Sequence, residues 1–281
     1  MEIKQQTLKK EVSTKGIGLF TGKEISLKLS PLSENSGICF QRADLPSKPI
    51  FQANLENVKS LMRSTGIGRG DAVVQTVEHL LSALNAYQID NVCVQVSGPE
   101  IPIGDGSALT FVQLIEEAGI KKQRAPKKFF SLQEPIFFSE KDVYLVALPS
   151  DHFCVSFTTH FPTSTLLRTQ HFFFVLSPEV YKQEIAPART FSFYEEIEPL
   201  LKKNLIKGGG LENAVLIRND CVLNPEGMRY SDELVRHKIL DLVGDFALIP
   251  GLRAHIIAIR SGHAANISLA KKVYNHMMVK N

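Results

Sequence analysis

The sequence predicts an α+β protein of two domains with similar topology, spanning residues 1–122 and 123–281. Three observations lead there. A chain of 281 residues with 44% hydrophobic and 22% charged content has the make-up of a soluble globular protein, with room for one large domain or two ordinary ones. Both halves run through the same order of short strands, one helix rich in ionisable residues, then more strand. Between them lies KKQRAPKK at 121–128, a basic, proline-containing run without periodicity that reads as a linker. The duplication rests on element order; no residue-level repeat accompanies it.

The elements follow from local pattern. KGIGLFTGK punctuates two short strands near the N-terminus, and EISLKLS alternates apolar and polar residues as a half-buried strand does. RSTGIGRGD reads as a glycine-rich loop entering a helix over QTVEHLLSAL, in which Leu80, Leu81 and Leu84 form the buried face. IDNVCVQVSG is a strand, and ALTFVQLIEEAGI has apolar residues at helical spacing with Gly119 near its end. In the second half, DVYLVALP, FCVSFTTHF and HFFFVL read as strands, followed by a helix near SFYEEIEPLLKKN and a turn at KGGG. NAVLI is a strand, VRHKILDLVGDFALI a strongly periodic helix, and RAHIIAIR a strand.

Composition narrows the function. A formal charge of +3 gives no support to nucleic-acid binding. MEIKQQTLKK has no apolar stretch behind its charges, so no secretory signal is expected, and no run approaches the ~18 apolar residues of a membrane span. Cys39, Cys93, Cys154 and Cys221 lie far apart without a CxxC pair, which points to free thiols in a reducing cytoplasm.

The chemistry concentrates in two helices. His237 and Asp241 stand four apart in RHKILD, on one helical face, where an imidazole and a carboxylate can grip one ion; the same spacing also serves ordinary surface pairs. His79, opening its own helix, is the natural third ligand, and a His2Asp set leaves one tetrahedral position open for water. Such a set accepts iron(II) as well as zinc. Neighbouring helical residues diverge by roughly 100°, so Glu78 flanks rather than faces the ion, as a general base does. Without an ion Glu78 is an ordinary acid at a helix N-terminus. Asp245 continues the His237–Asp241 face and can orient an imidazole, which His263 of SGHAAN supplies; a turn-capping histidine is the competing reading. Lys238 can present a positive charge to a developing oxyanion, or simply be solvated.

Taken together, TVEHLLSAL, EIPIGDGSA, ARTF, LNPEGMRYSDELVRHKILDLVGD and SGHAAN resemble the zinc-dependent UDP-3-O-acyl-N-acetylglucosamine deacetylases of lipid A biosynthesis, in order and over nearly the whole chain. The resemblance implies two α/β sandwich domains with the active site at their interface, in a monomeric cytoplasmic enzyme of a Gram-negative bacterium. By that resemblance His79, His237 and Asp241 match the zinc ligands and Glu78 the general base. His263 matches the histidine that stabilises the oxyanion and protonates the leaving amine, with Asp245 holding it. Thr190 falls where a threonine hydrogen-bonds the tetrahedral intermediate, and Lys238 where a lysine contacts substrate. An insert around 191–213 would wall an apolar passage for the acyl chain, with Phe191 and Leu211 in its lining, and Phe161 resembles the aromatic that stacks on uracil. For Phe191 and Leu211 ordinary core positions are the competing reading. Two departures stand out: Phe20 in GLFTGK replaces a frequent histidine, and Gly104 replaces a frequent methionine, an apparent change of packing. Other readings of the same residues are a zinc amidase for another acylated sugar or peptide, and a sugar-nucleotide or lipid-binding protein with structural histidines.

Overall fold

The computed structural model describes residues 2–280. Two sheets share one strand order. In the first half the order is Val12–Ile17, Glu24–Pro31, Val92–Val96, Ile38–Arg42, Ile50–Gln52. In the second it is Ile136–Glu140, Val143–Pro149, Leu252–Ile259, Cys154–His160, Thr169–Val175. In both, the last strand in sequence occupies the centre and runs parallel to the third, while every other pairing along these paths is antiparallel. A sixth short strand, Phe130–Ser131, joins the second sheet beside Leu252–Ile259.

The helices repeat as well. Helix α1 (Glu78–Ala86) precedes the central strand of the first sheet and α2 (Leu109–Ala118) follows it. A short turn, α3 (Pro178–Val180), runs into a π-helical turn over Tyr181–Ile185, and α4 is Tyr194–Lys202. Helix α5 (Glu233–Phe246) precedes the central strand of the second sheet and α6 (His263–Lys280) follows it. Each half also carries an insertion between its fourth strand and its first main helix. The first is a three-stranded sheet of Val58–Ser60, Gly66–Arg69 and Ala72–Val74; the second contains α4 and the sheet of Phe191–Phe193, Val215–Arg218 and Cys221–Val222.

Alternation decides which strand face is covered. Glu24–Pro31 buries Ile25, Leu27 and Leu29 and leaves the residues between them more open. Most of the buried apolar residues form one core that runs through both halves, from Leu27 and Leu84 to Leu240 and Phe157, and a smaller cluster of Leu167, Val215, Ile217 and Leu234 lies in the second half. Its centre is the packing of α1 on α5. There a side chain at Gly244 would bring Cβ to 2.1 Å from the Glu78 carbonyl oxygen, so the two backbones approach closely only because that position is glycine. Asn85, about two turns along α1, donates to the Val243 carbonyl at 3.2 Å and closes the same helix contact.

Two expectations change. Residues 121–128 are not an unstructured linker: Ile120–Pro126 is a strand paired antiparallel with Lys4–Leu8, its basic side chains largely exposed while its backbone completes a ladder. GIGR is a strand rather than a loop, because Gly68 lies too close to the neighbouring Ala72–Val73 backbone to carry a side chain. Gly104 takes φ +59°, a conformation that favours glycine, and a Cβ there would lie 3.1 Å from Thr110 Oγ1.

The Gly244→Ala substitution is expected to cost on the order of 1–3 kcal/mol in urea unfolding, since the helices must separate to admit the methyl group. A change within about 0.5 kcal/mol would show that the close approach is unimportant.

Candidate active site

The N-terminus of α1, the middle of α5 and the N-terminus of α6 converge. Glu78 and His79 are the first two residues of α1, and both are buried. His79 Nε2 lies 3.7 Å and His237 Nε2 3.3 Å from Asp241 Oδ1, and the two imidazoles meet edge to face with centroids 5.0 Å apart. One donor atom each from His79, His237 and Asp241 lie within 4.8 Å of one another. His237 Nδ1 donates to the Ala188 carbonyl at 3.1 Å, which leaves its Nε2 lone pair turned to the cluster.

The donor chemistry fits a divalent ion. Burial, and then His237, pushes the His79 imidazole down to about 3. Burial also lowers His237 against the pull of Asp241. Burial alone would raise the Asp241 carboxyl, but Lys238, 2.6 Å from Oδ2, and the imidazoles outweigh it and hold the group well below the usual carboxylate range. Two neutral imidazoles and one carboxylate are the ionisation states that ligation requires.

Around these stands a second set. Burial pushes the Glu78 carboxyl up to about 8, with His263 opposing. A dication beside it would favour the anion and draw that value down. His263 Nδ1 is 3.0 Å from Asp245 Oδ2, while Nε2 turns inward, 4.0 Å from both Glu78 Oε1 and Asp241 Oδ2. Burial works against the imidazolium, yet Asp245 and the other two carboxylates lift His263 to about 9. Asp245 is fully buried and also accepts from Thr65 Oγ1 at 2.5 Å and Asn266 Nδ2 at 2.9 Å.

The remaining candidates line two adjoining clefts. Phe191 borders both and sets its ring edge-on to His237, centroids 6.2 Å apart. One is an apolar cavity of about 220 Å³ whose walls include Thr190, Ile197, Leu201 and Leu211. Leu211 is 38% exposed and so is not core, whereas Phe191 is half-buried and packs against the small cluster of Leu167, Val215, Ile217 and Leu234. Thr190 also borders the apolar cavity, and its backbone is fixed by Gly106 and Val215. The other cleft, about 440 Å³, holds Phe161, Lys238 and Arg260, with Phe161 packed on Phe193 at 5.6 Å.

Sequence reasoning missed several supporting residues. Thr65 donates its backbone N–H to Glu78 Oε2 at 3.0 Å and its hydroxyl to Asp245, tying the two carboxylates together. Arg189, also buried, spans Glu233, Glu226 and the Gly227 carbonyl, which locks the segment whose Ala188 carbonyl orients His237. The ARTF motif was the signal for Arg189; nothing local marked Thr65.

Residues 5–275 match the family model for UDP-3-O-acyl N-acetylglycosamine deacetylase (LpxC). The chain belongs to this deacetylase family. It is 46% identical to the UDP-3-O-acyl-N-acetylglucosamine deacetylase of Chlamydia caviae over 274 residues, covering 97% of this chain and 98% of that protein. With the enzyme of the same name from Chlamydia pneumoniae it shares 44% identity, covering 97% and 98%. With Chlamydia felis the figures are 44% identity and 99% of each chain. A deacetylase of this family is a hydrolase, and among the described residues no helix is long and apolar enough to cross a membrane.

Metal titration of the purified chain is expected to saturate at about one divalent ion per chain, and His79→Ala to leave that content near zero. Unchanged stoichiometry in His79→Ala would place the ion elsewhere.

Proposed function

We propose that this protein hydrolyses the acetamide of UDP-3-O-acyl-N-acetylglucosamine to the free amine and acetate, the committed step of lipid A biosynthesis, as a cytoplasmic zinc enzyme. The observation that carries this reading is the buried convergence of His79, His237 and Asp241 with Glu78 and His263 on either side, in a chain of this family. Iron(II) is compatible with the same donors. Four free cysteines agree with a reducing compartment.

His79, His237 and Asp241 would hold the ion. When bound, it supplies a Lewis acid that polarises the amide carbonyl and acidifies water. Glu78 takes the proton from the attacking water, with its other oxygen held by the Thr65 N–H. As the carbonyl carbon becomes tetrahedral, the protonated His263 and the Thr190 hydroxyl face the developing oxyanion. The C–N bond then breaks, His263 Nε2 gives its proton to the departing glucosamine nitrogen, and acetate remains. Asp245 keeps the His263 Nδ1–H engaged, so that Nε2 is the nitrogen that donates.

The clefts divide the substrate. The apolar cavity past Phe191 and Leu211 takes the 3-O-acyl chain. The polar cleft takes the UDP group, with Phe161 against uracil and Lys238 and Arg260 near the diphosphate. Lys238 also keeps Asp241 ionised.

Glu78→Ala is expected to lower acetate release by a factor on the order of 10²–10⁴ while metal content stays that of the unaltered chain; near-normal turnover would remove Glu78 as the base. Because Asp245 raises His263, Asp245→Asn lowers the pH at which His263 loses its proton. The alkaline limb of kcat/KM then moves to lower pH. A limb that stays in place would assign it to another group.

A further inference from the structure

Two glycine-rich motifs, GLFTGK and KGGG, lie far apart in sequence yet meet in space, and neither belongs to the chemistry above. The Lys207 N–H donates to the Phe20 carbonyl at 3.3 Å and the Gly208 N–H to the Leu19 carbonyl at 3.0 Å. The backbones touch: a Cβ on Gly208 would fall 2.2 Å from the Gly18 carbonyl oxygen, and one on Gly22, at φ +66°, would fall 2.7 Å from Lys207 Cβ. A finger of the first half is thereby clasped to the insertion of the second, and its Leu19 and Phe20 side chains line the apolar cavity across from α4.

The finger has a buried anchor. Glu100 is 1% exposed, and its carboxylate accepts from the Phe20 N–H at 3.0 Å, the Thr21 N–H at 2.8 Å and the Thr21 hydroxyl at 2.6 Å. Gly18 makes room for it, since a Cβ there would lie 2.1 Å from Glu100 Oε1. Glu100 sits on a segment bonded to the chain that enters α1: Gln75 N–H donates to the Pro99 carbonyl, and Ile101 N–H to the Gln75 carbonyl. The cavity wall and the catalytic helix therefore share one fixed reference.

We propose that Phe20 determines which acyl chains the cavity admits, and that Glu100 is the positioning residue that holds Phe20 in the wall. This rests on the proposed function, which assigns the cavity to the acyl chain. A phenyl ring occupies volume and offers only apolar contact, so this part of the wall favours an apolar chain. A glutamate that satisfies three donors of one turn fixes where that ring stands, because releasing it would leave the half-buried Phe20 and Thr21 N–H groups without this partner.

The test compares the unaltered chain with Phe20→Ala, Glu100→Ala and the double variant. One readout is kcat/KM across a graded series of 3-O-acyl lengths, with metal content measured alongside. The other is binding of a dansylated fatty acid to the metal-free proteins. Phe20→Ala is expected to shift the preference between shorter and longer chains by roughly tenfold, and to weaken probe binding by about tenfold. Glu100→Ala shifts both readouts in the same direction, and adds nothing once Phe20 is Ala. An unaltered length profile in Phe20→Ala overturns the proposal, as does a Glu100 effect that persists undiminished without the ring. Glu100→Gln, which keeps the volume but turns an NH2 group toward a donor, serves the same comparison if Glu100→Ala does not fold. Should the unaltered chain release acetate from no member of the series, the proposed function fails, and the probe titration alone still decides the role of the wall.

Discussion

Gly244 lets the backbone of α5 meet that of α1 at Glu78, and the placement of the ionisable cluster follows from this contact. His79 lies one residue beyond the touching carbonyl, while Asp241 and His237 lie one and two turns back along α5, so close packing alone brings the three donors into range of one ion. Helix packing at ordinary separation would hold them farther apart. The constraint also explains the burial. Placed between two helices in a core shared by both halves, these groups have lost water and hold each other in defined ionisation states.

Electrostatics then separates their roles. Three carboxylates and three imidazoles occupy one small space, yet their environments diverge. Lys238 keeps Asp241 anionic, burial keeps His79 and His237 neutral, and Asp245 favours the charged form of His263. Neighbours outside the cluster hold these groups in place. Thr65 bridges Glu78 and Asp245, and the Ala188 carbonyl, anchored through Arg189, fixes the His237 ring. The insertions supply these neighbours: Thr65 comes from the first, and Ala188 and Arg189 from the second. Each insertion thus contributes to the stability of the cluster as well as to the clefts beside it.

Much of this was legible in the chain. The 3.6-residue period over 233–246 and the leucines of TVEHLLSAL gave both central helices, and i,i+4 spacing placed His237 with Asp241. The zinc-site reading needed the family resemblance, because helical spacing within each segment cannot report that segments nearly 160 residues apart meet. Helix α6 went unread, although the duplicated order of elements calls for a helix after each central strand, as α2 supplies in the first half. Its weak amphipathic pattern left SGHAAN looking like a turn. The strand over Ile120–Pro126 was hidden because an edge ladder uses backbone groups and leaves lysines exposed. Thr65 and Glu100 carry no periodic signal, since each is defined by partners distant in sequence.

X-ray absorption at the zinc edge of the metal-loaded chain tests the central claim most directly. The account predicts a first shell of nitrogen and oxygen only, with the outer-shell signature of two imidazoles that is reduced when His237 is replaced by Ala. A sulfur scatterer, or an oxygen-only shell without imidazole, would contradict the convergence of α1 and α5 on one ion.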